Sequence, residues 1–503
     1  MNDETTPGKR PTRRDFLYLA GGALVGAGIT AASAAAITAN RSGTATTAES
    51  EDSPDDDSPE ILRFMSTALT VPAITTWTRD GGTPAAGYLF ATPRTDINTG
   101  AIYDTDGQPI WIDPSGVTVT NLQVQQYLGS PVLTCWQGTV LSGYGTGVGR
   151  ILDTSYTTIA TVRAGNGLQA DLHEFKITDR GTALTLAYPM ERADLSTLDG
   201  PDDGWILGAR MQEIDIATGE VLLDWNAFDH IDLSESYQGL SDGADGSSAE
   251  NRYDPIHLNS VDDDGEVLIL SGRHTQALYG IDRSTGELLW RLGGRRSDYT
   301  LDEDATFLWQ HDGRRQPDGR ISVFDNHGKS GGDAISAGLL LDVDEQAKHV
   351  SLATRFSDEE HVGYAQGNTQ LLSTGGAMVG WGSNRDATEF DADGEPVFEA
   401  RGLGSASYRS FKFEWSATPA SVPDIAAVQG SDDLVVYASW NGATDVAQWR
   451  IFTGADASSL TEAAVVDRTG FETSATVPQA AWVQVEALRS DGTPLARSRA
   501  LAS

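Results

Sequence analysis

A single cysteine, Cys135 in "LTCWQG", and only eight histidines occur in this chain of 503 residues. One thiol excludes an intrachain disulfide and a cysteine-held metal cluster. Positive charge is scarce as well. Lys plus Arg number 35 against 72 Asp plus Glu, a net charge of −37. Such a surface repels nucleic acid and anionic lipid, so neither is expected as a partner. Concentrated salt would screen its self-repulsion, which points to a salt-adapted, halophilic source. A generic solubilising surface is the alternative. Beyond the N-terminus there is no long apolar run and no long amphipathic helix. Glycine clusters such as "GGALVGAG" lack the strand–helix context of a nucleotide-binding loop. The carboxylate runs "VDDDGE" and "SPDDDSPE" lack calcium-loop spacing and read as solvated turns. No metal and no cofactor are expected.

What is present begins with "KRPTRRDFLYLAGGALVGAGITAASAAAITA". Arg13 and Arg14 precede Asp15, Phe16 and Leu17 and a weakly apolar Gly/Ala stretch. This is the twin-arginine export pattern over residues 1–40, an address read by a translocase rather than an anchor. A retained membrane helix is the rival, but low Leu content makes insertion marginal. Residues 41–59 are polar and acidic and read as a disordered linker. The mature protein is expected outside the cell, at its surface or in the periplasm.

From Ile61 to about Phe413 apolar residues alternate with period two between turn signals. One turn recurs: an apolar residue, an Asp, a short turn, then an apolar residue or Trp. Its aspartates are Asp104, Asp153, Asp215, Asp282, Asp342 and Asp391, spaced 49 to 67 residues apart. The second and fifth copies lack the turn glycine. A four-stranded blade takes about 40–50 residues, so six copies predict an all-β fold with a six-bladed β-propeller over 60–415. An irregular sandwich with coincidental turns is the alternative. Residues 420–503 change texture, with short alternating strands that predict an immunoglobulin-like or fibronectin-like sandwich. Trp440 and Trp449 are expected in its core, and the absence of His there argues against chemistry on it.

Four loops of the middle region carry histidines: "DLHEF" (His173), "DPIHLNS" with "SGRHTQ" (His257, Asn259, Arg273, His274), "WQHDGRR" (His311) and "FDNHG" (Asn326, His327). Propeller loops at one channel end converge, so these residues can meet. A funnel of His and Arg in an acidic protein suits an anion, and imidazoles exchange protons near neutral pH. Each has a plainer reading. His311 would be a loop residue bonded to Asp312, Arg273 a partner of an acid, and His257 a loop-internal hydrogen bonder. His230, His349 and His361 read as surface or loop residues. Trp309 and Trp381 would either stack on an aromatic ligand or pack blades.

The run "DPIHLNSV…SGRHTQALYGIDRSTGELLWRLGG…QHDGR…FDNHG" resembles the arylsulfotransferase family. More closely it resembles the branch with a "DLHEF" loop and a C-terminal immunoglobulin-like domain, over most of 60–503. The resemblance implies transfer of a sulfuryl group from an aryl sulfate to a phenol without a nucleotide sulfate donor, through a sulfated histidine. By motif, His311 is implied as nucleophile, with Arg273, His257 and His173 as catalytic residues. His274, Asn259, Asn326 and His327 are candidates to support them, a purely structural role being the stronger reading for each. The implied partners are a small aryl sulfate donor, a phenol acceptor and, during export, the twin-arginine translocase. A homodimer is compatible with the sequence. Studied secreted members contain a disulfide, and this chain cannot. Two rivals remain. One is a quinone-dependent dehydrogenase, whose blades share the Asp-x-x-Thr-Gly turn. The other is a non-catalytic surface-binding propeller.

Overall fold

A computed structural model describes residues 59–241, 244–328, 335–358 and 360–503. The expected export signal and, but for Pro59, the expected linker lie outside them. The described chain is all-β, with only short 3-10 turns besides strands. No helix among the described residues is long and apolar enough to cross a membrane.

Among the described residues six antiparallel meanders of four strands follow one another, the fourth extended by a parallel strand, Thr300–Leu301, and the fifth by an antiparallel one, Thr75–Thr78. The first runs from Val119–Tyr127 to Thr158–Val162, the second from Phe175–Ile177 to Val221–Asn226, and the third from Leu258–Asp264 to Leu288–Gly293. The fourth runs from His311–Arg315 to His349–Phe356 and the fifth from Asn368–Leu371 to Pro396–Arg401. The sixth is composite: Ser407–Phe413 pairs with Tyr88–Pro93, which continues into Ala101–Tyr103 and Pro109–Ile112. A late strand is thus inserted beside three early ones, which ties the two ends of this region together. An inserted hairpin (Met190–Ala193 with Gly204–Leu207) and a long excursion over 227–256 account for the two longest repeat steps.

Each meander buries both faces, one against the meander before it and one against the meander after. Val132, Ile151 and Val162 of the first pack on Phe175, Ile177 and Ile214 of the second. Phe324 and Phe356 of the fourth pack on Val379 and Phe390 of the fifth. The set closes where Phe90, Trp111 and Phe411 of the sixth meet Leu133, Cys135 and Leu152 of the first. Cys135 is a core residue there, and burial pushes its thiol pKa up to about 12.

The recurring aspartate turn joins the third and fourth strands of each meander. The carboxylate of Asp104, Asp153, Asp215, Asp282 or Asp391 accepts backbone N–H groups two to four residues on, a local bond that reverses the chain. Gly107, Gly219, Gly286 and Gly394 then take the left-handed conformation. The fourth meander corrects the sequence reading. Asp342 lies within strand Ala337–Asp344 and is exposed, and Asp344 makes the turn, accepting from Gln346 and Ala347. The two copies without glycine place Tyr156 (φ 61°) and Lys348 (φ 52°) in the same left-handed position, which costs about 1–2 kcal/mol each. Tyr156 has a compensating role. Its ring stacks on Trp111, its hydroxyl donates to the Gly442 carbonyl, and Trp415 Nε1–H donates to that hydroxyl.

After Trp415 a three-stranded sheet (Asp424–Gln429, Asp433–Ser439, Glu472–Pro478) faces a second sheet built on Gln448–Gly454 and Trp482–Leu488. They share one core that contains Trp440 and Trp449.

Candidate active site

The first strands of the six meanders line a common axis. His173, His257 and His311 stand at or just before the N-terminal ends of three of them. The turns bearing Arg273, His274 and Asn326 follow second strands, so the antiparallel alternation brings them to the same end. His173 and His257 meet edge to face with ring centroids 4.8 Å apart, and His257 and His274 are also 4.8 Å apart. Arg273 and the rings of His257 and His173 are close enough to act electrostatically on His311.

The partners of each ring set its state. Asn326 donates its amide N–H groups to the carbonyls of Gly363 and Gln366, so its Oδ1 faces His311 Nδ1 at 2.6 Å as an acceptor. Nδ1 of His311 therefore carries the proton. Nε2 holds the lone pair, which accepts the Gln366 backbone N–H at 3.2 Å. Burial, followed by the Arg273 charge, pushes the His311 pKa well below its ordinary value. The ring is neutral at pH 7. His173 and His257 differ, since each turns Nδ1 to a carboxylate: Asp171 at 2.5 Å and Asp254 at 2.6 Å. Burial, then the charges of His173 and Arg273, also holds His257 well below its ordinary value. His274 donates Nδ1–H to the Asp254 carbonyl and accepts from Arg273 at Nε2 (3.0 Å), and burial lowers its pKa to about 3. Asp254, His257 and His274 lie close enough to hold a metal ion, but hydrogen bonds already account for both Nδ1 atoms.

Arg273 donates to His274 and to the Tyr364 carbonyl, and its guanidinium stands 5.2 Å from the Trp309 ring centre. No carboxylate among the described residues lies within ion-pairing distance of it. Burial lowers its pKa to about 10. A guanidinium short of counter-charge beside a neutral imidazole is suited to receive an anion. Tyr188 and Tyr408 pack on His173 at 5.6 and 5.7 Å between ring centres, which adds aromatic lining. His257, Trp309 and Gln366 all hold left-handed backbone, the kind of strain that clusters at functional sites.

Asn259 donates to the Gln310 carbonyl at 2.6 Å, and the Gln310 amide donates to Ser271 Oγ and to the carbonyls of Gly272 and Ala277. These bonds fasten the loop ahead of His311 to the third meander. His327 is not brought into the group. It is exposed and pairs with Asp325 at 3.0 Å. His311 does not bond Asp312, which pairs with Arg314 instead. His361, read from sequence as a surface or loop residue, is buried against Trp381. Trp381 is a packing residue. Sequence reasoning missed Asp171, Asp254 and Gln366. A signal for the acids existed: His173, His257, His327 and His361 each bond an Asp two or three residues earlier.

Below the rings the axis is filled by ions. Glu174 and Arg409, both fully buried, pair at 3.2 Å, Arg314 reaches Glu174 at 2.5 Å, and Asp312 takes Arg314 at 2.8 Å and Arg409 at 3.4 Å. Burial opposes charge on Asp312, yet Arg314 and Arg409 outweigh it and hold its carboxyl below the ordinary range. A cavity of about 420 Å³ opens beneath this network, lined by Asp312, Arg314 and Phe411 among others. It lies past the ions from the imidazoles.

Fold and site thus define an all-β protein with neutral imidazoles and an anion-seeking guanidinium at one end of a closed ring of meanders. The arylsulfotransferase (ASST) family model matches residues 123–402. The chain belongs to that family, and an arylsulfotransferase-type function follows from the membership. No curated protein matches the chain. Among solved structures it is similar to a quinohemoprotein alcohol dehydrogenase from Comamonas testosteroni, at 11% identity and TM-score 0.30, covering 70% of this chain and 61% of that one. It is also similar to a protein of unknown function from Dyadobacter fermentans, at 9% identity and TM-score 0.32, covering 81% of this chain and 100% of that one. A third is Hsv2 from Kluyveromyces lactis, at 12% identity and TM-score 0.30, covering 70% and 89%.

Proposed function

We propose that the protein transfers a sulfuryl group from an aryl sulfate to a phenol by a ping-pong route through sulfated His311, without a nucleotide sulfate donor. In this reading the six meanders are the blades of a six-bladed propeller over 60–415. Residues 420–503 are an immunoglobulin-like sandwich, and the protein works outside the cytoplasm after twin-arginine export.

The observation that carries the proposal is the contrast in Nδ1 partners. An amide backs His311, so nothing draws a second proton onto it, and its Nε2 pair attacks sulfur on giving up the 3.2 Å bond from the Gln366 N–H. Carboxylates back His173 and His257, so those rings can hold a proton while a reaction passes. In the first half-reaction Nε2 forms a bond to sulfur and the sulfur–aryl oxygen bond breaks. The electron pair leaves on the phenolate oxygen, which takes a proton from His257 or His173 once the bound sulfate anion and the carboxylate behind the ring have brought that ring to its imidazolium form. In the second half-reaction the same group removes the proton of the incoming phenol. The phenol oxygen attacks sulfur and the N–S bond breaks. Arg273 supplies N–H donors to the peripheral sulfuryl oxygens throughout. Its charge, opposed in the free protein only at a distance by Asp254, is then met directly by the substrate anion.

Brief exposure to an aryl sulfate without acceptor, followed by peptide mass spectrometry, tests this. An adduct of about 80 Da on His311 is expected from one activated nucleophile per chain, and it should disappear when phenol is added. Turnover with His311 unmodified, or turnover retained by His311→Ala, would overturn the assignment.

A further inference from the structure

His361 lies on the segment between Phe356 and Asn368, where the chain passes from the fourth meander to the fifth. Its Nδ1 meets Asp358 Oδ1 at 2.7 Å. Its Nε2 faces two oxygens at once, Asp386 Oδ2 at 3.3 Å and Glu399 Oε1 at 3.1 Å. The second oxygen of each carboxylate is already engaged: Gly402 N–H donates to Asp386 Oδ1 at 3.0 Å, and Arg401 pairs with Glu399 Oε2 at 2.8 Å. Both acids are therefore oriented from behind, each with one oxygen turned to the imidazole. Trp381 stacks on the ring at 5.0 Å and 9°, which fixes its plane.

A proton on Nε2 does not satisfy this arrangement. It can be donated squarely to only one of the two, and it points at Asp386, so Glu399 Oε1 stands 3.1 Å from Nε2 without a well-aligned hydrogen bond although Glu399 is only 8% exposed. A cation would serve both. Zinc bonds to nitrogen and oxygen of about 2.0–2.1 Å set tetrahedral ligand-to-ligand edges near 3.3 Å, which the two edges from Nε2 match at 3.3 and 3.1 Å, and all three ligand atoms lie within 4.8 Å of one another. The Nδ1–Asp358 bond is the orienting contact that metal-bound histidines make. A cavity of about 490 Å³, lined by Trp77, His361, Glu399 and Arg401 among others, lies against the group and leaves room for a fourth ligand such as water.

We propose that His361 Nε2, Asp386 and Glu399 form a binding site for a zinc-class divalent cation, oriented by Asp358 and distinct from the imidazoles at the channel mouth. Imidazole with two carboxylates suits zinc over magnesium or calcium. The cation would pin the segment that also presents the Tyr364 carbonyl to Arg273 and the Gln366 N–H to His311.

The test titrates chelator-treated full-length protein with Zn²⁺ and with Co²⁺ in excess Mg²⁺, which occupies unspecific acidic sites. One saturable equivalent per chain is expected, with cobalt giving the visible absorption of a low-symmetry, four-coordinate ion. Glu399→Gln, nearly isosteric, should abolish this uptake, and Asp358→Asn should weaken it about 10–100-fold. Far-UV circular dichroism and melting confirm that each variant is folded. Asp254→Asn should leave uptake intact, because it alters only the other His/Asp group. Absence of saturable uptake, uptake retained by Glu399→Gln, or uptake lost in Asp254→Asn would each overturn the site. The first outcome would leave a charged imidazole held among carboxylates.

Discussion

Arg273 and Arg409 are two buried guanidinium groups on one axis, and their surroundings are opposite. Arg409 sits between Glu174 and Asp312, donates to Asn121 Oδ1 and to the Asn259 carbonyl, and has no exposed surface. Its charge is matched by the protein itself, and its bonds link strands of four different meanders. Arg273 has one imidazole and one carbonyl as hydrogen-bond acceptors and no ion pair among the described residues. The first arrangement has its counter-charges within the protein. The second becomes balanced when an anion arrives. A buried ion pair is weak evidence of net stability, but breaking one leaves an uncompensated charge. A guanidinium left short of counter-charge is a sign of function. The same division separates the imidazoles, with His311 against an amide and His173 and His257 against acids.

These contrasts can be broken one at a time. The largest effect is expected from Arg409→Met, which leaves Glu174 and Asp312, two buried acids, to share Arg314 as their one remaining counter-charge. Unfolding in denaturant should show a loss of about 3–5 kcal/mol. A midpoint close to that of the parent protein would mean that the ion network is not what holds the axis. Arg273→Ala should leave the melting curve nearly unchanged and slow sulfuryl transfer about 10²–10³-fold, the usual loss for one donor to a developing charge. If the melt falls and the rate does not, the two arginines have exchanged roles. The smallest effect concerns His311. The free base of an imidazole held below its ordinary pKa is lost only as pH falls through that lowered value. Formation of the adduct should therefore be flat from about pH 6 to pH 8. Asn326→Asp gives His311 the carboxylate its neighbours have and should raise its pKa. The acid limb of the profile follows that pKa upward, with up to about tenfold loss at the low end if it rises by about one pH unit. A profile unchanged by Asn326→Asp would remove the distinction between the rings.

Much of this architecture is legible in the chain, for local reasons. Period-two alternation marks strands because side chains alternate faces, and an Asp before a turn accepts its own downstream N–H groups. Five of the six repeat aspartates are readable on those grounds. Asp342 is mistaken for Asp344 because the fourth meander has no turn glycine to fix the register, and "DVD" offers two acids two residues apart. Lys348 at the left-handed position can only be seen once the backbone is placed. The candidate catalytic histidines are nameable because they sit in recognisable motifs. His361 has no such motif, and its partners Asp386 and Glu399 lie 25 and 38 residues downstream.

The amino-acid sequence alone determined the strands, their turns, the acidic surface and the family, because each depends on neighbouring residues or on overall composition. Tertiary structure decided which charges are answered and which are left open. Glu174 and Arg409 are 235 residues apart, and Gln366 meets His311 through backbone rather than side chain. Such meetings arise only when the last strand closes beside the first. An imidazole's proton and a guanidinium's counter-charge are set by what lies within a few ångströms in space, whatever its distance along the chain.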